Sequence, residues 1–236
     1  NDFADGARGA DGADRLGPQR LVGAGLMSAS RVRTGAIVAS LFAALSGLVV
    51  AAYGGLPIVA VGVASLVCAW AYSSGPAPIS VSPLGELFVV LFFGVAAVAG
   101  TVWIVAGAID ATCILLGVAI GLPAAAVLTV NNHRDRAADV RNGRRTLAIL
   151  LGARGTVAVF GCELAAASLL AAWALLPLSQ AAVLIALVGC GAAVARAVRL
   201  AHTPISRAMN DQLVATVRFQ IALAAAVIAL LLSMAR

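Results

Sequence analysis

The feature that most limits what this chain can become is a series of apolar runs, at residues 34–53, 57–73, 84–106, 110–130, 154–176, 178–199 and 215–235. Most of them reach the roughly 20 residues that cross about 30 Å of hydrocarbon at 1.5 Å per residue. Hydrocarbon offers the backbone no hydrogen-bond partner, and nothing in the runs alternates as a barrel strand would, so each run is expected to be a helix. Composition agrees: 62% of the residues are hydrophobic and 11% are charged, against roughly 25% charged in a soluble domain. The expected fold class is all-α, a polytopic transmembrane helical bundle set in a lipid bilayer. The run at 57–73 is the shortest, and its ends are the least defined.

The connections differ from one another. Residues 53–57, 107–110 and 176–179 are short and lack arginine, whereas 131–153 and 200–214 are long and polar. The stretch 74–83, SSGPAPISVS, is polar and uncharged, and its two prolines disfavour helix. If every run crosses the membrane, the arginines in 1–33, in 131–154 and in 196–218 share one side, and Arg236 lies opposite. Excess basic charge marks the cytoplasmic side, here of the cell's inner (plasma) membrane. The net charge of +6 is thereby assigned to loops beside spans, and no nucleic-acid partner is implied. Cys68, Cys113, Cys162 and Cys190 lie in apolar runs without CxxC spacing, which indicates neither a zinc site nor a disulfide framework. The chain begins inside a motif, and further residues are expected upstream, so the whole of 1–236 reads as one transmembrane domain incomplete at its N-terminus.

Two acidic stretches stand out against this background. Residues 131–147 read NNHRDRAADVRNGRRTL, and residues 1–20 read NDFADGARGADGADRLGPQR. Asp135 and Asp139 are spaced i,i+4, and Asp2 and Asp5 i,i+3, so each pair shares a helix face. Carboxylates that converge at a membrane surface repel one another, and a divalent cation relieves the repulsion. Mg²⁺ suits the case, because it takes oxygen ligands from a few carboxylates together with substrate phosphates. The neighbouring arginines bind phosphate in forked geometry. Diphosphate chemistry beside an apolar bundle points to a prenyl diphosphate. The alternative is a transporter or lipid-binding bundle whose acidic loops are only solvated surface.

Other polar residues carry weaker signals. Glu86, near the start of a run, contacts a substrate or caps its helix; Glu163, about ten residues into its run, must find a partner or be protonated. Asp110 is placed to cap a helix. His133 and His202 read as structural imidazoles, and Trp70, Tyr72 and Trp103 as packing or interface anchors.

At the acidic stretches the chain resembles the UbiA superfamily of intramembrane aromatic prenyltransferases. That family's first motif, NDxxDxxxD, corresponds to NDFADGARGAD, with Gly9 where many members carry Asp and Asp11 two residues later. Its second, DxxxD followed by a glycine and a basic-Thr pair, corresponds to DRAADVRNGRRT. The segments RLGPQRLVGAG (15–25), AWAYSSGP (69–76) and PLGELFVVLFFG (83–94) are similar to members that prenylate 1,4-dihydroxy-2-naphthoate. The resemblance implies nine spans in a full chain, about seven of them here. It also implies Mg²⁺ held by Asn1, Asp5, Asp11, Asp135 and Asp139, with Asp2 orienting a ligand or an arginine. It implies a diphosphate on Arg134, Arg144 and Arg145, with Arg20 a further candidate. Asn132, Tyr72 and Glu86 are the expected substrate contacts. The implied partners are a polyprenyl diphosphate and 1,4-dihydroxy-2-naphthoate, joined with loss of CO₂ on the menaquinone pathway at a site open to the cytoplasm. Another aromatic or isoprenoid acceptor remains the alternative within the family.

Overall fold

The computed structural model describes residues 1–7 and 15–234; Arg8, Asp11, Asp14 and Arg236 lie outside the described residues. The described residues form helices and no strand, in the order α1 (Asp2–Ala7), α2 (Ala29–Ser73), α3 (Gly85–Val89), α4 (Ala97–Ala106), α5 (Ala111–Arg141), α6 (Leu147–Leu175), α7 (Ala182–His202) and α8 (Met209–Met234). A π-helical stretch, Val90–Ala96, joins α3 to α4 in one rod, and a 3₁₀ turn, Ile79–Val81, precedes α3. Six helices, with the α3–α4 rod counted once, are long and apolar enough to span a bilayer. The chain is a multi-pass membrane protein.

The six include both of the first two expected runs in α2. That helix has 45 residues, about twice what a bilayer requires. It is broken at Gly55, whose φ of 66° and ψ of −158° are not helical. A glycine reaches that region without steric cost, and Pro57, two residues on, suits the first turn of the second arm. The indole of Trp103, near the end of α4, donates a 2.8 Å hydrogen bond to the Gly54 carbonyl. The break thereby keeps its freed acceptor satisfied, and α2 acts as two spans.

Caps and breakers set the other ends. Asp110 accepts from the Cys113 amide at 2.8 Å and starts α5. Residues 131–141, expected as part of a long connection, instead continue α5 as helix. They contain no glycine or proline before Gly143, so nothing stops the helix where the hydrocarbon ends. The connection proper is short, 142–146, and Gly152 interrupts α6 soon after its start.

The interior lies among α5 to α8. Phe160, Leu164, Val130 and Met209 form one buried cluster, and Ala119, Ala167, Ala171 and Leu175 belong to a second. Half of the apolar window of α5 is buried, and none of that of α2. The outward Phe42, Leu45 and Trp70 face where lipid would lie. Against α5 also rests the π stretch, glycine to glycine, with Gly94 on Gly117 and Gly121.

Candidate functional site

Both acidic stretches lie at one end of this bundle. Asp5, on α1, is 3% exposed. Its carboxylate pairs with Arg20 at 2.5 Å and with Nη2 of Arg144 at 3.1 Å. The same Arg144 reaches Asp139 on α5 through Nε at 3.4 Å. One guanidinium therefore bridges a carboxylate from each stretch. That contact also requires α2 to be two crossings: with two arms, the rod and α5, an even number of spans separates Asp5 from Asp139.

The remaining acids of the two pairs do other things. Asp2 accepts hydrogen bonds from the amides of Leu21 (3.0 Å) and Val22 (3.2 Å), folding the chain after the first stretch back onto α1. Asp135 receives both Nε and Nη2 of Arg134 at 2.7 Å, a fork-on-fork pair. Arg134 is 1% exposed. It also donates to Asn131 and Asn210, each at 2.7 Å, and Asn210 donates to the Leu16 carbonyl at 3.1 Å. Gly17 passes so close that a Cβ there would lie 2.7 Å from the Arg134 guanidinium. The RLGP turn is thus packed directly on the second stretch.

Between these groups lies a cavity of about 260 Å³. Of the expected residues, Arg20, Asn132, Arg134, Asp135, Asp139 and Arg144 line it, and so do Arg15 and Arg141, which the motifs alone did not single out. Arg15 and Arg141 sit inside the acidic stretches, so their positions carried the signal. Asn210 had none, being distant in sequence and unremarkable in spacing. Arg145 is exposed and off the cavity wall, its amide bonded to the Val81 carbonyl at 2.7 Å. Asp11 falls outside the described residues.

Guanidinium groups outnumber carboxylates on the wall, a balance of charge that suits an anion. Asp139 lies past residue 130, beyond the length of α5 that hydrocarbon requires. Burial pushes its carboxyl up to about 6; Arg144 opposes the rise, and Asp135 and Asp5 add to it. Desolvated carboxylates that repel one another favour a hard cation nearby. Among the described residues no three His, Cys, Asp or Glu side chains converge as a ready metal cage. The oxygen donors fit Mg²⁺ of the kind held by one or two carboxylates and completed by substrate phosphates.

A second, larger cleft of about 570 Å³ is lined by Asn1, Cys68, Tyr72, Phe88, Phe92 and neighbouring residues. The rings of Phe88 and Phe92 stack at 6.1 Å. Glu86, buried and on the wall of neither, accepts from Nδ2 of the cavity-lining Asn132 at 2.9 Å. Deeper, Glu163 finds its partner in Thr129, whose hydroxyl lies 2.9 and 3.1 Å from its two oxygens. His202 bonds its own helix at Val198.

Residues 1–213 match the model of the family described as the UbiA prenyltransferase family. Among curated proteins, the chain is 39% identical over 170 residues to a 1,4-dihydroxy-2-naphthoate octaprenyltransferase of Mycobacterium tuberculosis, covering 72% of this chain and 58% of that protein. It is 36% identical over 159 residues to the protein of the same name from Haemophilus influenzae, covering 65% and 52%, and 33% identical over 158 residues to that of Escherichia coli, covering 64% and 51%. The chain spans about half the length of the curated relatives it matches. No solved structure matches it.

Proposed function

This chain belongs to the UbiA prenyltransferase family, and from that premise we propose that it transfers a polyprenyl group from a polyprenyl diphosphate to 1,4-dihydroxy-2-naphthoate. Diphosphate and CO₂ leave, giving demethylmenaquinol, at a site facing the cytoplasm. The reading rests on one observation above others: Asp5 and Asp139 meet at Arg144 beside a cavity walled by arginines. The shared name of the relatives supports the acceptor.

In this reading Arg15, Arg20, Arg141 and Arg144 bind the diphosphate oxygens. Asp5 and Asp139 would hold Mg²⁺, with Asp135, Asn1 and Asp11 as further ligand candidates. When bound, the cation supplies positive charge against the leaving diphosphate. Arg134 acts through Asp135, fixing its carboxylate toward the cavity. The prenyl C–O bond breaks and its electron pair departs on the diphosphate. Preorganised guanidinium charge stabilises that departure without reorganising water. Phe88 and Phe92 line the path for the hydrocarbon and keep water from the allylic carbon. The ring carbon bearing the carboxylate forms the new C–C bond, and CO₂ then leaves.

Membranes containing the protein test this directly. With polyprenyl diphosphate and 1,4-dihydroxy-2-naphthoate they should release diphosphate and CO₂, and a chelator of divalent cations should abolish the release. Turnover of 4-hydroxybenzoate or homogentisate in preference to the naphthoate would overturn the choice of acceptor. No diphosphate release with any phenol would overturn the enzyme reading.

A further inference from the structure

Glu86 has a feature that prenyl transfer as described leaves unused. It lies in the first turn of α3 and is 6% exposed. One carboxylate oxygen, Oε1, accepts from Asn132 Nδ2. The other, Oε2, is buried and meets no hydrogen-bond partner. Buried polar atoms in proteins are nearly always satisfied, and an exception asks for a reason. Helix capping does not supply it: the N-cap position of α3 is Leu84 and has no side-chain cap bond.

The surroundings narrow the answer. Asn132, which holds Glu86 in place, is on the wall of the arginine cavity. Tyr72, on the wall of the apolar cleft, brings its hydroxyl to within 3.7 Å of where a Cβ on Gly85 would stand. Glu86 itself is on the wall of neither cavity: it lies buried behind Asn132 on the side of the anion site and beside the Gly85–Tyr72 contact on the side of the hydrocarbon site. In the prenyl-transfer reading the acceptor ring stands between those two sites. A carboxylate there repels phosphate and carboxylate alike. It accepts hydrogen bonds and donates none while ionised. The complementary ligand group is an uncharged hydroxyl.

We propose that Oε2 of Glu86 accepts a hydrogen bond from a ring hydroxyl of the aromatic acceptor, with Asn132 holding the carboxylate in that orientation. This rests on the prenyl-transfer reading and adds the residue that recognises the acceptor. The O–H bond is polarised and not broken. It feeds electron density into the ring as the ring carbon bonds to the prenyl carbon. The carbon–carboxylate bond then breaks, and its electron pair returns to the ring as CO₂ leaves.

The test is a cycle of residue against hydroxyl. Wild type, Glu86→Ala and Glu86→Gln are each assayed with 1,4-dihydroxy-2-naphthoate and with analogues in which one hydroxyl or the other is methylated. Wild type should lose about 100-fold or more in kcat/KM on one of the two ethers, because a site built for a hydroxyl strongly rejects its absence. In Glu86→Ala the same ether should cost about threefold or less, with the KM for prenyl diphosphate within about twofold of wild type. Equal discrimination in variant and wild type would overturn the proposal, as would a prenyl diphosphate KM that moves as far as the acceptor's. Should the alanine variant fail to insert, the glutamine variant and the wild type still decide. In wild type, a membrane-soluble carbodiimide should label Glu86, and the dihydroxylated acceptor should block labelling where its dimethyl ether does not; equal blocking by both overturns the proposal. Failure of the prenyl-transfer reading looks different, since wild type would then leave the naphthoate unchanged, and the cycle would be run on the phenol it does accept.

Discussion

The two acidic stretches do the same job with different materials. The second rides on α5, whose apolar window is half buried and whose end is pinned from α8 by Asn210. The first is carried by α1, a helix of 6 residues, and is held by Arg20, Leu21 and Val22 a short way downstream. Yet each divides its acids the same way. One acid of each pair serves the local chain: Asp2 binds the Leu21 and Val22 amides, and Asp135 binds Arg134. The other acid of each pair meets at Arg144, which Asp139 reaches within its own stretch and Asp5 reaches across from the first. Spacing in sequence shows that two carboxylates share a face. It does not show which of them serves its own segment and which is turned to the arginine the two stretches share.

The sharpest way to break this comparison is to remove the facing acids. Asp139→Ala and Asp5→Ala should each lower kcat/KM for prenyl diphosphate by about 100- to 1,000-fold, the range seen when one preorganised electrostatic group is lost. The double variant should be little worse than either, because groups acting as a unit are strongly non-additive. Diphosphate release at matched protein levels measures both. If Asp2→Ala proves as damaging as Asp5→Ala, the division of labour fails.

A smaller loss, about 10- to 100-fold, is expected for Arg144→Lys and for Asn210→Ala, which act on how the acids are presented. An ammonium is a point charge and cannot fork between two carboxylates as the guanidinium does. Arg144→Lys should therefore show up mainly in the KM for prenyl diphosphate. Asn210→Ala frees one side of Arg134 and should lower thermal stability as well, by about 1–3 kcal/mol for a buried donor left unmade. An Asn210→Ala protein with wild-type activity and melting would mean that the second stretch needs no anchor from α8.

The first stretch should respond to Asp2→Asn mostly in stability. The amide keeps one acceptor for the Leu21 and Val22 amides and loses the charge. One bond is exposed and the other half-buried, so a cost of about 1 kcal/mol is expected, with activity within about fivefold. Limited proteolysis near residues 15–22 reads the loosening. A collapse of metal-dependent turnover with unchanged melting would instead make Asp2 a site ligand.

How much of this the amino-acid order disclosed depends on the range of the contacts. The spans were legible because hydrocarbon imposes length and apolarity on each run separately, and Asp110 and Gly55–Pro57 mark ends by local chemistry. The parity of the spans was legible too, and it predicts the meeting of Asp5 with Asp139. The helical extension of α5 through Arg141 was misread as connection because polar residues resemble a loop once a helix leaves the membrane. The anchoring of Arg134 by Asn210 was invisible, since a contact between residues so distant in sequence leaves no period in the sequence. Arg134, expected near the phosphates, lines the cavity and is also a pin: a buried guanidinium is satisfied by any set of well-placed oxygens, and sequence alone does not say whose they are.

The smallest expected effect separates two adjacent arginines. From the order of residues, Arg144 and Arg145 are equivalent phosphate ligands next to a glycine. In the fold, Arg144 is on the cavity wall between Asp5 and Asp139, whereas Arg145 is exposed and contributes its amide to the Val81 carbonyl. The two side chains therefore part: Arg144 is half-buried on the wall and Arg145 is exposed. Arg145→Ala keeps the amide and removes an exposed charge, which changes stability by about 0.5 kcal/mol or less. Turnover should stay within about twofold, with a slightly weaker dependence on anionic lipid if the side chain meets headgroups. Arg144→Ala should fall well below it in the same assay. Equal losses in the two variants would put Arg145 back on the diphosphate, and would require the connection at 142–146 to turn over when substrate binds.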